Sequence, residues 1–231
     1  MVLFSTFDWN YLYPKRLTKG EYMKNNKVRV LFSLLGVILI GIAIAFLRIA
    51  DLGTDPFTTF NLGFSSWLGM RFGTFLILSN ALMLIFVFFT ARKYIGLGTI
   101  FNILLVGNLS DLILSFLQNS LGSLDALGIR VVVSLLSIVL LACGAALYIA
   151  ADLGVAPYDA LPVIAETKSN GGLSFQVTRI TLDMLCAIVG GFFFEATLGV
   201  STIIIAFFMG PLIQFFRIRF QQLLKNIEQA A

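Results

Sequence analysis

Ala50-Asp51-Leu52-Gly53-Thr54-Asp55-Pro56 returns 101 residues later as Ala151-Asp152-Leu153-Gly154-Val155-Ala156-Pro157. In both copies Asp-Leu-Gly breaks the helix before it, and proline suits the first turn of a new helix, where its missing N–H costs nothing. Upstream, Ser33-Leu34-Leu35 aligns with Ser134-Leu135-Leu136 at the same offset. Downstream, Gly96-x-x-Thr99-Ile100 and a stretch ending at Gly107 align with Gly199-x-x-Thr202-Ile203 and a stretch ending at Gly210, once the connecting loop gains two residues. Identity at turn-forming residues in matching order reads as an internal duplication. Each unit then consists of a long apolar span, the turn, a short apolar segment, and two further spans.

Composition sets the solvent. Apolar residues make up 58% of the chain and charged residues only 12%, with a mean hydropathy of +0.94; a soluble domain carries about twice that charged fraction. Charges are banked between apolar runs at Leu31–Leu47, Phe72–Thr90, Ile95–Leu117, Val131–Ala151, Phe175–Phe194 and Thr197–Phe216. Each run approximates the roughly 20 residues that a helix needs to cross the hydrocarbon. The short segments Pro56–Leu68 and Pro157–Ala165 do not reach that length.

Whether those short segments cross decides the topology. If they do not, Arg92 and Lys93 fall on the same side as the basic bank Lys15, Arg16, Lys19, Lys24, Lys27 and Arg29 and the tail residues Arg217, Arg219 and Lys225. The base-free connections 118–128 and 195–197 then fall outside, as the positive-inside rule requires. The expected fold is an all-α integral membrane protein of six transmembrane helices and two re-entrant half-helices, arranged as two repeats of inverted topology. By residue, 1–27 is an N-terminal cytoplasmic and interfacial segment, 28–117 the first membrane repeat, 118–128 a linker, 129–221 the second repeat and 222–231 a cytoplasmic tail. Phe7, Trp9, Tyr11 and Tyr13 suit the first segment to the interface. The expected location is the cell membrane, multi-pass, with both termini cytoplasmic. The formal charge of +4 is explained by this topology and gives no reason to expect a nucleic-acid partner.

The Asp-Leu-Gly-x-x-Pro turn, followed by Gly-x-x-Thr-Ile and a span ending in glycine, resembles the YczE/YyaS/YitT group of bacterial membrane proteins, YczE in particular. The likeness covers about residues 28–220. It implies a bacterial inner-membrane protein and no particular activity.

The two copies differ where they carry charge: Asp55 aligns with Ala156, Thr58 with Asp159, and Asn80 with Asp183. Asp183 falls in mid-span, where an ionised side chain is costly and is usually paired or functional. Arg179, one turn earlier on the same face, can neutralise it, so a purely structural pair is the alternative reading. Asp55 precedes Pro56 and suits the N-cap of the first half-helix. Asp159, one turn past Pro157, either caps its helix or faces a cavity. Asp51 and Asp152 either line a vestibule or accept backbone N–H groups at their turns. Arg48 is three residues from Asp51 and can pair with it, while Asp111 and Arg130 read as interfacial. Gly96, Gly98, Gly107, Gly199 and Gly210 read as close-packing positions.

Two cysteines, Cys143 and Cys186, lie inside spans without metal-type spacing, and there is no histidine. Zinc sites, haem ligation, a disulfide framework and histidine-dependent catalysis therefore find no support. No cofactor, metal site or catalytic residue is expected, and the chain reads as not an enzyme. Inverted repeats with broken helices are a recurring plan of secondary transporters. The expectation is a small-solute transporter or channel, with Asp51, Asp55, Pro56, Asn80, Asp152, Pro157, Asp159, Arg179 and Asp183 around a midplane site between the half-helices. Half-helix N-termini and Arg179 would meet an anionic group, and the acids a cation or proton. The alternative is a non-catalytic membrane scaffold or assembly factor. Partners are the lipid bilayer and a small-molecule or ion substrate, and a homo-oligomer is compatible with the sequence.

Overall fold

A computed structural model describes residues 26–169, 172–173 and 175–230; the expectation for the interfacial aromatic residues before Lys19 lies outside this set. The described residues form α-helices α1 (Asn26–Ala50), α2 (Pro56–Trp67), α3 (Phe72–Ala91), α4 (Leu97–Leu121), α5 (Leu127–Ala150), α6 (Pro157–Lys168), α7 (Phe175–Ala187) and α8 (Val200–Ala230). A 3-10 turn covers Arg92–Tyr94, a π-helix covers Ile188–Phe193, and no strand occurs among them. Among the described residues five stretches are long and apolar enough to cross a membrane: Lys27–Ala50, Phe72–Tyr94, Leu97–Leu121, Leu127–Ala150 and Val200–Gln229. With 12 residues each, α2 and α6 reach about 18 Å, well short of the ~30 Å hydrocarbon core.

The run at 175–194 departs from the expected uninterrupted span. Here α7 contributes 13 residues and passes into a six-residue π-helix. The cause is a backbone contact: a Cβ on Gly190 would stand 2.6 Å from the Thr59 carbonyl oxygen on α2. The wider π turn leaves the Gly190 carbonyl free to accept from Ala196 N at 3.0 Å, and turns of this kind serve such local insertions.

α1 and α5 form the central antiparallel pair. They touch backbone to backbone at Gly36 and Gly144, where a Cβ on Gly144 would lie 2.8 Å from the Gly36 carbonyl oxygen. Small residues allow this approach between apolar helices, where packing rather than hydrophobic burial supplies the attraction. Around the seam, Val37, Ile40, Ile44, Leu47, Ile138 and Leu141 are buried, and Leu76, Val106 and Ile205 close the core from α3, α4 and α8. Outward faces stay apolar, with Leu82, Phe89, Leu112 and Leu136 largely uncovered by protein, as lipid-facing positions require.

Both Asp-Leu-Gly turns have one backbone shape. Asp51 and Asp152 adopt φ of 51° and 53°, a left-handed conformation that aspartate tolerates better than most residues, and Gly53 and Gly154 follow at 97° and 101°. Each turn then clasps the helix start that lies in the other half of the sequence. The Leu52 carbonyl accepts from Ser201 N at 3.0 Å, and the Leu153 carbonyl accepts from Gly98 N at 2.8 Å. A Cβ on Gly199 would collide with the Leu52 carbonyl oxygen, and one on Gly96 with that of Leu153. The threonine of each Gly-x-x-Thr accepts from the glycine N–H, at 3.1 Å for Thr99 and 3.4 Å for Thr202. Gly-x-x-Thr is thus a helix start shaped to receive a turn.

Candidate functional site

The N-terminal ends of α2 and α6 meet face to face. Phe57, one residue into α2, stacks on Tyr158, one residue into α6, with ring centroids 4.2 Å apart and planes 13° from parallel. These residues are one 101-residue offset apart, so positions that align in the sequence touch each other. α7 runs beside both helix ends and supplies the remaining charge.

Arg179 on α7 is the hub. Its Nη1 donates to Asp159 Oδ1 at 2.6 Å and its Nε to Asp183 Oδ2 at 3.1 Å. The Tyr158 hydroxyl donates to the other Asp183 oxygen at 2.6 Å. The guanidinium carbon also stands 4.8 Å over the Tyr158 ring centroid, a cation–π contact. Asp183 is the best covered of the ions, with a side chain 14% exposed, against 32% for Arg179 and 30% for Asp159. Asp55 caps α2 by accepting from Thr58 N at 3.0 Å and lies within electrostatic range of Asp183 and Arg179. Pro56 and Pro157 occupy the first turns of their helices and are buried beside this cluster. Three carboxylates therefore gather around one guanidinium at two helix N-termini.

The remaining expected site residues are placed elsewhere. Asp51 and Asp152 sit at opposite ends of the α1–α5 pair, roughly 37 Å apart by helix rise, because each closes its own turn. Asp51 accepts from Thr197 Oγ1 at 2.8 Å and pairs with Arg130 Nη2 at 3.2 Å; it does not pair with Arg48, as its spacing suggested. Arg48 instead reaches Asp111 at 2.7 Å, since α4 packs on the face of α1 that carries it. Asn80 is 2% exposed, and its amide donates to the Leu76 carbonyl at 2.9 Å. Its Oδ1 has no partner among the described residues.

Two features escaped the sequence reading. Tyr158 completes the site, yet a search for charged residues passes over it; its alignment with Phe57 was the available signal. Arg29 and Arg130 are also one offset apart and do matching work. Arg130 Nε donates to the Ala50 carbonyl at 2.6 Å, and Arg29 Nη1 to the Ala151 carbonyl at 3.3 Å. Arg29 is tied further by Glu228, at 2.7 and 3.1 Å.

Comparison with known proteins matches residues 27–218 to a family of unknown function, DUF6198. An uncharacterised protein of Haemophilus influenzae is 31% identical over 77% of this chain and 78% of its own length. The uncharacterised membrane protein YczE of Bacillus subtilis is 26% identical over 71% of this chain and 73% of its own. YyaS of the same organism is 26% identical over 79% and 89%. No solved structure matches. With its five long apolar helices the chain is a multi-pass membrane protein, and it belongs to the DUF6198 family together with its YczE- and YyaS-like relatives.

Proposed function

We propose that this protein is a small-solute transporter or channel whose site lies where the N-terminal ends of α2 and α6 meet, and that the site takes a cation or a proton. Charge balance carries the reading. Among the described residues Arg179 is the cation that Asp159 and Asp183 share, with Asp55 nearby, and three ionised acids exceed its charge by two. Each helix N-terminus supplies roughly half a positive charge, so about one negative charge remains. In a water-poor interior that excess is expensive, and one proton, monovalent cation or protonated amine would balance it. The anionic partner expected for Arg179 fits less well, because Asp159 and Asp183 already engage the guanidinium.

The architecture behind this reading is six crossings, made by α1, α3, α4, α5, α7 with its π-helix, and α8. α2 and α6 are re-entrant, entering as extended chain and returning as helix, so that their N-termini meet near the midplane. Support comes from the contacts that recur at the 101-residue offset between antiparallel α1 and α5, which is what inverted repeats produce. Both termini would be cytoplasmic, and the chain would bind its solute without chemical turnover.

Thermal unfolding of the purified protein against monovalent cations, amines, amino acids and organic anions, with Asp183→Asn in parallel, tests the reading. A ligand that binds only the folded state at a hundred times its dissociation constant adds about 2.7 kcal/mol. The expected result is a selective shift from a cation or amine that the variant loses. No shift from any compound, or one from anions alone, would contradict it.

A further inference from the structure

A second polar site lies apart from the helix-end cluster. A shallow, open cleft of about 640 Å3 lies between the C-terminal end of α2, the start of α3 and the C-terminal half of α4. Asp111, Ser115 and Gln118 line it from α4, Ser66 from α2, and Arg48 and Arg71 bring two guanidinium groups.

Asp111 does not neutralise both arginines. Its Oδ1 takes Arg48 at 2.7 Å, and its Oδ2 takes the Gly73 N–H at 2.7 Å at the start of α3. Arg71 stands 3.9 Å from Oδ2, beyond hydrogen-bond distance. Arg48 is further fixed by Ser110 at 3.0 Å and lies 4.6 Å over the Phe72 ring. The Arg71 side chain is 72% exposed, and among the described residues its guanidinium makes no hydrogen bond. The hydroxyls of Ser66 and Ser115 also lack a protein partner among the described residues. The cleft therefore carries one net positive charge, a planar fork of donors that makes no hydrogen bond though it stands in ion-pair range of Asp111, and two hydroxyls without a protein partner among the described residues.

We infer that this cleft binds a phosphate group, with Arg71 as the principal ligand and Ser66 and Ser115 as secondary donors. Guanidinium suits phosphate because its fork donates two parallel hydrogen bonds to two oxygens. A tetrahedral anion also has oxygens left for hydroxyls on the facing helices. Arg48 holds the wall through Asp111 and contributes field without contact. The group is either a free phosphate or the headgroup of an anionic lipid. This inference uses none of the carboxylates of the helix-end site and does not depend on the transport reading.

The test is thermal unfolding of the full chain in dodecyl maltoside, titrated separately with inorganic phosphate, dihexanoyl phosphatidylglycerol and dihexanoyl phosphatidylcholine. Saturable stabilisation by phosphate identifies a soluble anion, and stabilisation by phosphatidylglycerol alone identifies a lipid headgroup. In either case Arg71→Gln should weaken binding at least tenfold, and Arg71→Lys should recover part of it. Arg71 is exposed, so these variants should fold. The inference is overturned if neither phosphate nor phosphatidylglycerol stabilises the protein, if phosphatidylcholine acts equally, or if Arg71→Gln binds as well as the parent chain.

Discussion

The end of α6 and the end of α2 share a backbone plan and differ in charge. Around α6 stand Tyr158, Asp159, Arg179 and Asp183; the aligned positions around α2 are Phe57, Thr58, Leu76 and Asn80. Both helices begin with proline and run for 12 residues. Gly190 in the π-helix that follows α7 packs on Thr59 and Phe60 of α2, while Val87 of α3 packs with Ala160 and Ile164 of α6. One half thus builds its helix end without an ion triad. The shared backbone plan does not by itself call for ions at a helix end. The two Asp-Leu-Gly turns give the opposite case: the aspartate, the backbone shape and the clasp on a Gly-x-x-Thr helix start recur in both halves, as expected of a structural device.

The comparison breaks first at Arg179. Arg179→Leu would place on α7 the residue that α3 carries, but would leave Asp159 and Asp183 facing each other without a counter-charge. Breaking a buried pair costs about 3–5 kcal/mol. With a third of the side chain exposed, the lower end, about 3 kcal/mol, is expected as a fall in stability by thermal or denaturant unfolding. A neutral result would mean that water, rather than the arginine, balances the two acids.

A smaller and more even effect is expected at the two turn clasps. Gly96→Ala and Gly199→Ala each push a methyl group into a carbonyl of the opposite turn. Gly96 is in extended backbone, with φ of −159°, so lack of space is the obstacle rather than conformation. Overpacking of this kind costs about 1–3 kcal/mol. Near-equal losses in the two variants would support matched clasps, and a loss in one alone would break the equivalence of the halves.

Much of this was legible in the sequence, in proportion to how local its cause was. Apolar length and turn residues placed α1, α3, α4 and α5 within a few residues of their observed ends, and the start of α8 likewise, but α8 continues to Ala230, well past the expected end at Phe216. The proline at each short segment marked the starts of α2 and α6. The Arg179–Asp183 pair followed from helix geometry, since i and i+4 share a face. What failed depended on contacts between distant segments. Arg48 finds Asp111 only because α1 and α4 pack together. The run at 175–194 looked uninterrupted because Gly190 reads as an ordinary packing glycine until its approach to α2 is known. For Asp51 and Asp152 the sequence offered either a vestibule lining or a turn, and the backbone places both in turns. The pairing of Arg29 with Arg130 could have been found by extending the 101-residue alignment upstream.

The smallest expected change in stability accompanies the most direct test. Arg179→Leu, Asp159→Thr and Asp183→Asn combined give the α6 end the residues that its own counterpart carries. Replacing a whole ion cluster with neutral residues is often close to neutral for stability, so the triple variant should unfold within about 1 kcal/mol of the parent chain. Its response to monovalent cations and amines, measured beside the parent by thermal unfolding, is the measurement to make. The account predicts that at least one such compound stabilises the parent and leaves the folded triple variant unmoved. Equal stabilisation of both proteins would place the ligand elsewhere and contradict the central claim.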